Sequence, residues 1–213
     1  MPDTPLLIAG LGNPGAEYAR NRHNAGFMVV DTIHASYEFS PWRSRFQGLF
    51  SEGSLGKRKT YLLKPQTYMN LSGDSIGAAM RFFKLPIEAL VVMHDELDLP
   101  AAKLKAKVGG GDAGNNGARS ITAALGPDYR RVRIGIGHPG EKHRVHGHVL
   151  GNFTKADEEE WLVPMLSAIA DAAPLLAKDN DIGFMNKISL TLHPPRPNAP
   201  KPPAPKKAKK EDK

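Results

Sequence analysis

The chain has 213 residues, 40% of them hydrophobic, which suits one α/β domain with a sizeable core. It holds no cysteine, which excludes disulfides, thiolate metal sites and a thiol nucleophile. No apolar run approaches the roughly 18 residues of a membrane span, and the N-terminus lacks the order of a signal peptide, so a reducing cytoplasm is the expected location. Net charge is +7, but Arg196 and six lysines set against Glu211 and Asp212 place +5 in residues 194–213, and the preceding 193 carry only +2.

In chain order, the apolar run Leu6–Leu11 reads as a buried strand punctuated by glycine. Phe27–Tyr37 has helical spacing. Phe46–Gly53 and Lys57–Lys64 read as strands joined by a turn at Ser54-Leu55-Gly56. Ser72–Phe83 reads as a helix capped by Ser72 or Asn70, and Ala89–His94 as a buried strand with Asp95 at its tip. Leu104–Val108 alternates as a strand, Gly109-Gly110-Gly111 is a flexible loop, and Asn116–Leu125 is a helix. Arg131–Gly137 alternates again. Lys155–Lys178 reads as one long helix and Gly183–Leu192 as a shorter one. Strands interleaved with helices predict an α/β sandwich, and the hairpin-like pairs predict a mixed sheet. Residues 1–193 form one domain on this reading. Proline and lysine dominate 194–213, which cannot bury enough apolar surface to fold and reads as a disordered basic tail.

Gly10, Gly12 and Gly15 fit the G-x-G-x-x-G spacing of a dinucleotide loop, with Asp31 at about the acidic distance. Such a site needs a helix directly after the glycines. Here periodic apolar spacing resumes only near Gly26, and Pro14 removes a backbone donor. A catalytic loop is the preferred reading.

Four loops at strand ends carry unusual polar residues: Asn13 and His23 after the first strand, the segment Lys64–Gly73 containing Asn70, His94-Asp95-Glu96 after a buried strand, and Gly109–Gly117 leading to Asn116. On parallel strands they converge at one sheet edge. A histidine can activate water, a carboxylate on its other ring nitrogen fixes the tautomer, and asparagine amides can donate to an oxyanion. No metal ligand cluster is evident, and an ester suits this set better than an amide. Each residue also has an ordinary explanation: Asn70 and Asn116 as helix caps, Asn13 as a turn residue, Asp95 as the cap of the turn at Leu97. Lys103, Lys105 and Lys107 share one strand face, followed by Arg119, Arg130, Arg131 and Arg133. They read as a phosphate-binding patch or as a protected edge strand. Tyr18 and Tyr68 could stack a base or belong to the core.

The stretches G-L-G-N-P-G-A-E-Y (10–18), R-H-N-A-G-F (22–27), K-P-Q-T-Y-M-N-L-S-G (64–73), H-D-E-L-D-L-P (94–100), the triple glycine (109–111), N-G (116–117) and R-I-G-I-G-H-P-G (133–140) resemble the bacterial peptidyl-tRNA hydrolases over nearly all of residues 5–192. The resemblance implies a monomeric three-layer α/β/α protein with a mostly parallel mixed sheet and neither metal nor cofactor. It would hydrolyse the ester between a peptide and tRNA. By position His23 would be the base, Asp95 its partner, and Asn13 the reader of the N-blocked peptidyl group. Asn70 and Asn116 would bind peptide and 3′ end, with Tyr18, Tyr68 and Met69 lining the groove. Lys103, Lys105, Lys107 and Arg133 would meet tRNA phosphates. Asn115 and Asp112 stand where such proteins commonly have histidine, and His146 and His148 are further local departures. An RNA-binding relative without catalysis and a nucleotide-binding protein are the competing readings.

Overall fold

The computed structural model describes residues 4–194, so the basic tail expected from Pro194 onward lies, apart from its first residue, outside the described residues. Seven strands form one sheet: β1 (Leu6–Gly10), β2 (Arg43–Arg45), β3 (Gly48–Leu55), β4 (Arg58–Pro65), β5 (Leu90–Glu96), β6 (Leu104–Val108) and β7 (Arg130–Gly135). Their order is β2-β3-β4-β1-β5-β7-β6. The central pairs β4–β1, β1–β5 and β5–β7 are parallel, and the flanking pairs β2–β3, β3–β4 and β6–β7 are antiparallel. β1 and β5 are buried throughout; β1 and the Leu90–Met93 part of β5 are uniformly apolar, as strands covered on both faces are, and β5 ends in the buried polar residues His94, Asp95 and Glu96.

Two-residue alternation divides the core. Leu6, Ile8, Leu62, Val91, Met93 and Val132 face helices α1 (Ala25–Ser36), α6 (Val163–Leu176) and α7 (Asp181–Leu192). Leu7, Ala9, Leu63, Val92 and Phe50 face α2 (Ser72–Phe83) and α3 (Asn116–Leu125). The result is the three-layer α/β/α sandwich with a mixed sheet. Two short helices, α4 (Val145–Val149) and α5 (Lys155–Asp157), follow β7.

The departures from the sequence reading have local causes. Strand β2 is Arg-Ser-Arg, too polar to announce itself. Phe46 and Gln47, expected to open the next strand, have φ of 55° and 52° and form the tight turn between β2 and β3. The following turn is Gly56-Lys57 rather than Ser54–Gly56. The long helix expected over 155–178 is interrupted: α5 starts in a Thr154–Asp157 capping box, a π turn covers Glu158–Leu162, and α6 follows. Neither Ser72 nor Asn70 caps α2; Leu71 occupies that position without a side-chain bond. α4 was not anticipated, because His146, Gly147 and His148 give it no apolar period.

The glycines around β1 serve close packing. A Cβ on Gly10 would lie 2.3 Å from the Gly26 carbonyl oxygen, and one on Gly26 would lie 2.2 Å from that of Met93. The end of β1 thus crosses the start of α1 at backbone contact. After Gly15 the chain makes the 3-10 turns Ala16–Tyr18 and Arg22–Asn24, and α1 does not begin until Ala25. Asp31 is ion-paired with Lys64. This is not dinucleotide-loop geometry.

At the N-terminal edge of the parallel strands, two buried arginines close the sheet. Arg58 donates to the carbonyls of Thr4 (2.8 Å) and Ala177 (3.2 Å) and pairs with Asp179. Arg130 reaches the carbonyl of Leu176 and the carboxylates of Asp179 and Asp181. Guanidinium groups here satisfy the unpaired carbonyls at the C-terminus of α6.

Candidate active site

The opposite edge carries a cleft of about 940 Å³. His23 enters it from the 3-10 turn Arg22–Asn24 that precedes α1, and Asp95 from the C-terminal end of β5. His23 Nδ1 lies 2.9 Å from both carboxylate oxygens of Asp95. Asp95 is 3% exposed and His23 12%, so the pair is nearly dry while one face of the imidazole still meets the cleft. Burial alone would lower the His23 pKa, but the Asp95 charge and hydrogen bond outweigh it and leave it raised. In the neutral ring Nδ1–H donates to the carboxylate, and Nε2 keeps a lone pair for chemistry.

His23 is held from outside the cleft. Arg22 donates to the carbonyl of Asn152 and pairs with Asp157, and Asn21 Nδ2 donates to Asn152 Oδ1 at 2.7 Å. Asn24, buried, pairs like a peptide group with Asn13. Its Oδ1 accepts from the Asn13 backbone N–H at 2.9 Å, and its Nδ2 donates to the Asn13 carbonyl at 3.0 Å. Asn13 Oδ1 in turn accepts the Met69 N–H at 3.0 Å, which aligns the amide so that its NH₂ remains available to the cleft.

A second histidine touches the same aspartate. His94 is fully buried, its Nδ1–H donates to the Asp95 carbonyl at 2.7 Å, and its Nε2 has no partner among the described residues. Burial pushes its pKa from 6.5 to about 4, with the nearby Arg133 and Arg131 charges adding to the effect. It is a neutral structural group. Neighbouring Glu96 is raised by burial, accepts the Asp98 N–H, and pairs with Arg133 at 3.2 Å.

A family model described as peptidyl-tRNA hydrolase matches residues 7–196. Peptidyl-tRNA hydrolase of Parvibaculum lavamentivorans is 57% identical over 196 residues, 92% of this chain and 96% of that one. The Rhizobium rhizogenes protein of the same name is 58% identical over 187 residues, 88% of this chain and 78% of that one. The crystal structure of peptidyl-tRNA hydrolase from Acinetobacter baumannii superposes with a TM-score of 0.81 at 39% identity, covering 86% of this chain and 93% of that one. The chain belongs to the peptidyl-tRNA hydrolase family.

Set against the residues expected of a peptidyl-tRNA hydrolase, the cleft gathers seven: Asn13, His23, Tyr68, Met69, Asn70, Asp95 and Asn116. Tyr68 is 65% exposed at the rim, whereas Met69 is buried in the wall. Tyr18 sits half-buried in its own turn, outside the residues that line the cleft. Lys103, Lys105 and Lys107 also lie outside it, exposed along the edge strand β6 and the residue before it. Arg133 differs from those lysines. Its guanidinium is engaged by Glu96 and the Gly111 carbonyl.

The ordinary explanations are partly overturned. Asp95 does not cap the turn at Leu97; Glu96 makes the bond to Asp98 there. Asn116 is not the cap of α3. Asn115 is, with its Oδ1 accepting from the Gly117 and Ala118 N–H groups. The far wall of the cleft, formed by His138, Lys142, Val145 and His146, was not assigned from the sequence. Its one signal there was the unusual density of histidine and basic residues over 142–148. Asn24 gave no signal beyond its place in the R-H-N-A-G-F stretch, because its partner lies eleven residues away on another loop.

Proposed function

We propose that this peptidyl-tRNA hydrolase family member cleaves the ester between a peptidyl group and the 3′-terminal ribose of tRNA, with His23 as general base. The observation that carries the assignment is the contact of His23 Nδ1 with both oxygens of Asp95, which commits that nitrogen and leaves Nε2 for water. Nε2 takes a proton as the water oxygen attacks the ester carbonyl, and the Asp95 carboxylate stabilises the imidazolium. The Asn13 NH₂, with Asn70 and Asn116, supplies neutral donors for the substrate carbonyl and the charge that develops on it. Collapse of the tetrahedral species breaks the bond to the ribose oxygen, which recovers the proton from His23. Free peptide and tRNA leave.

In the same reading Tyr68 and Met69 contact the 3′ end, with Tyr18 as an outlying contact. Lys103, Lys105, Lys107 and Arg133 contribute positive charge towards the phosphates. Among the described residues no group of three or more histidine, aspartate or glutamate side chains is placed to hold a metal ion, and no helix is long and apolar enough to cross a membrane. On the resemblance to the bacterial peptidyl-tRNA hydrolases, and not on these absences, we take the enzyme to act as a cytoplasmic monomer without metal or cofactor.

Release of tRNA from N-acetyl-aminoacyl-tRNA, compared with unblocked aminoacyl-tRNA in the presence of EDTA, tests the proposal. Fast turnover of the blocked substrate alone is expected. Tight tRNA binding without cleavage of either would identify an RNA-binding relative instead.

A further inference from the structure

Asn115 lies beneath the cleft, 93% removed from solvent, and both ends of its amide are engaged. Its Oδ1 accepts two backbone N–H groups, from Gly117 and Ala118, each at 3.0 Å. Only an oxygen can do this, so the orientation of the amide is fixed and Nδ2 must be the atom turned towards Asp95. Nδ2 donates to Asp95 Oδ1 at 3.0 Å. The capping duty alone would be met equally by serine or aspartate. A carboxylate at its other end demands a donor, and that makes the amide necessary.

The loop carrying Asn115 is itself tied down. Its N–H donates to the Asp112 carbonyl at 2.7 Å. The Asp112 carboxylate is held by the fully buried Arg131 at 2.9 Å and by Thr122 at 3.1 Å. Arg131 and Arg133 both donate to the Gly111 carbonyl at 3.0 Å. The segment between the triple glycine and α3 is therefore a fixed bracket, and its one side-chain link to the proposed catalytic pair is the Asn115 amide.

We propose that Asn115 is a positioning residue for the hydrolysis, aligning Asp95 on His23 and sharing the negative charge of its carboxylate; this rests on the assignment of His23 and Asp95 above. Without the amide donor, only His23 Nδ1 among the described residues holds the carboxylate, and its full charge bears on His23.

The test compares Asn115→Ser and Asn115→Asp with the parent enzyme. Both keep an oxygen for the α3 cap and lose the Nδ2 arm that reaches Asp95; the shorter serine side chain keeps its hydroxyl at the cap, and an ionised aspartate has no proton to donate. Asn115→Ser is expected to lower kcat roughly tenfold, the effect of one hydrogen bond to a charged group, with KM within about twofold of the parent. The acid limb of its kcat/KM profile should move to higher pH, because a less shared Asp95 charge raises His23 further. Asn115→Asp sets two carboxylates side by side, which must share a proton. Its activity should fall away as pH rises and that proton is lost, a signature that a mere cap replacement would not produce. Thermal melting of both variants, and a His23 imidazole titration by NMR, separate folding from positioning. An Asn115→Ser enzyme with parental kcat and parental acid limb overturns the proposal. His23→Ala serves as the control. If it is inactive while Asn115→Ser is normal, only the positioning role fails. If it is active, the catalytic pair itself is wrong.

Discussion

The two ends of the parallel strands hold buried charge in opposite ways. At the N-terminal edge, Arg58 and Arg130 turn their guanidinium groups inward onto main-chain carbonyls and two aspartates. At the C-terminal edge, Asp95 is just as buried, yet its partner His23 keeps one nitrogen for the cleft. Both networks obey the rule that a buried charge must be paired. They differ in what is left facing a cleft. Guanidinium groups have no lone pair to offer and serve stability, whereas the free imidazole nitrogen can do chemistry. The α/β layout explains the placement, since loops after the carboxyl ends of strands converge there.

The largest effect that would break this comparison is at His23. His23→Ala should cut turnover by about 10²- to 10⁴-fold, the range for a general base. It should lower the melting temperature only modestly, because Asn115 still donates to the Asp95 carboxylate and water from the cleft can replace the ring. Asp95→Asn should also slow turnover. Without the carboxylate, burial dominates at His23, so the acid limb of kcat/KM should move to lower pH. A large loss of stability in His23→Ala, or an unmoved acid limb in Asp95→Asn, would mean that this edge is structural as well.

The converse holds at the other edge. Arg130→Met leaves Asp181 and the Leu176 carbonyl without their donor and should cost about 3 kcal/mol. For a chain of this size that lowers the melting temperature by roughly 6–12 °C. Turnover per folded molecule should stay at the parental value. Calorimetry and active-site titration on the same sample separate the two quantities.

His94 sharpens the contrast within the site, since it binds the same aspartate as His23 and shifts the other way. Its folded pKa of about 4 lies below its ordinary 6.5. The unfolded chain therefore takes up a proton that the folded chain refuses. The stability from this group is complete above pH 6.5 and is lost as pH falls towards 4, by about 3 kcal/mol in total. His23, raised on folding, contributes in the reverse sense, below 6.5, and loses its contribution as pH rises through its folded value. His94→Gln should flatten the acid side of the stability curve. An unchanged slope between pH 6.5 and 4 would remove His94 as its source.

Much of this was legible in the sequence because it was written in local patterns. The helix Ser72–Phe83 and the strand Leu104–Val108 have the bounds that their apolar spacing predicts. The cleft-facing Asn13, His23, Asn70, Asp95 and Asn116 stand out as polar residues at the ends of apolar runs. What stayed hidden depends on partners far away in the chain. Asn24 looks like any loop asparagine until the Asn13 backbone is brought beside it, and Asn115 like a local helix cap until the Asp95 carboxylate is. His94 and His23 have equal standing in the sequence, and only burial makes one an inert core group. Strand β2 and helix α4 lack an apolar period altogether, and they form through pairing with β3 and packing at the cleft wall.

The smallest predicted effect concerns the four cations that the family resemblance sets against tRNA phosphates. Lys105 faces Arg133 across the β6–β7 ladder, and Lys103 and Lys107 flank it, all three lysines exposed. Among the described residues no carboxylate pairs with the Lys105 ammonium group, so Lys105→Ala should act only through tRNA. Its binding should lose up to about 0.9 from the slope of log K against log salt, one phosphate contact's worth. KM should rise a few-fold and kcat should hold. Arg133 is different in kind, because it neutralises Glu96 and props the Gly111 carbonyl. Arg133→Ala should therefore lower kcat as well as affinity, through the loop that carries Asn115. Filter binding of tRNA across a salt series, paired with steady-state kinetics, distinguishes the two. If both variants changed the salt slope and nothing else, Arg133 would belong with the lysines after all, and the glycine loop would not need its support.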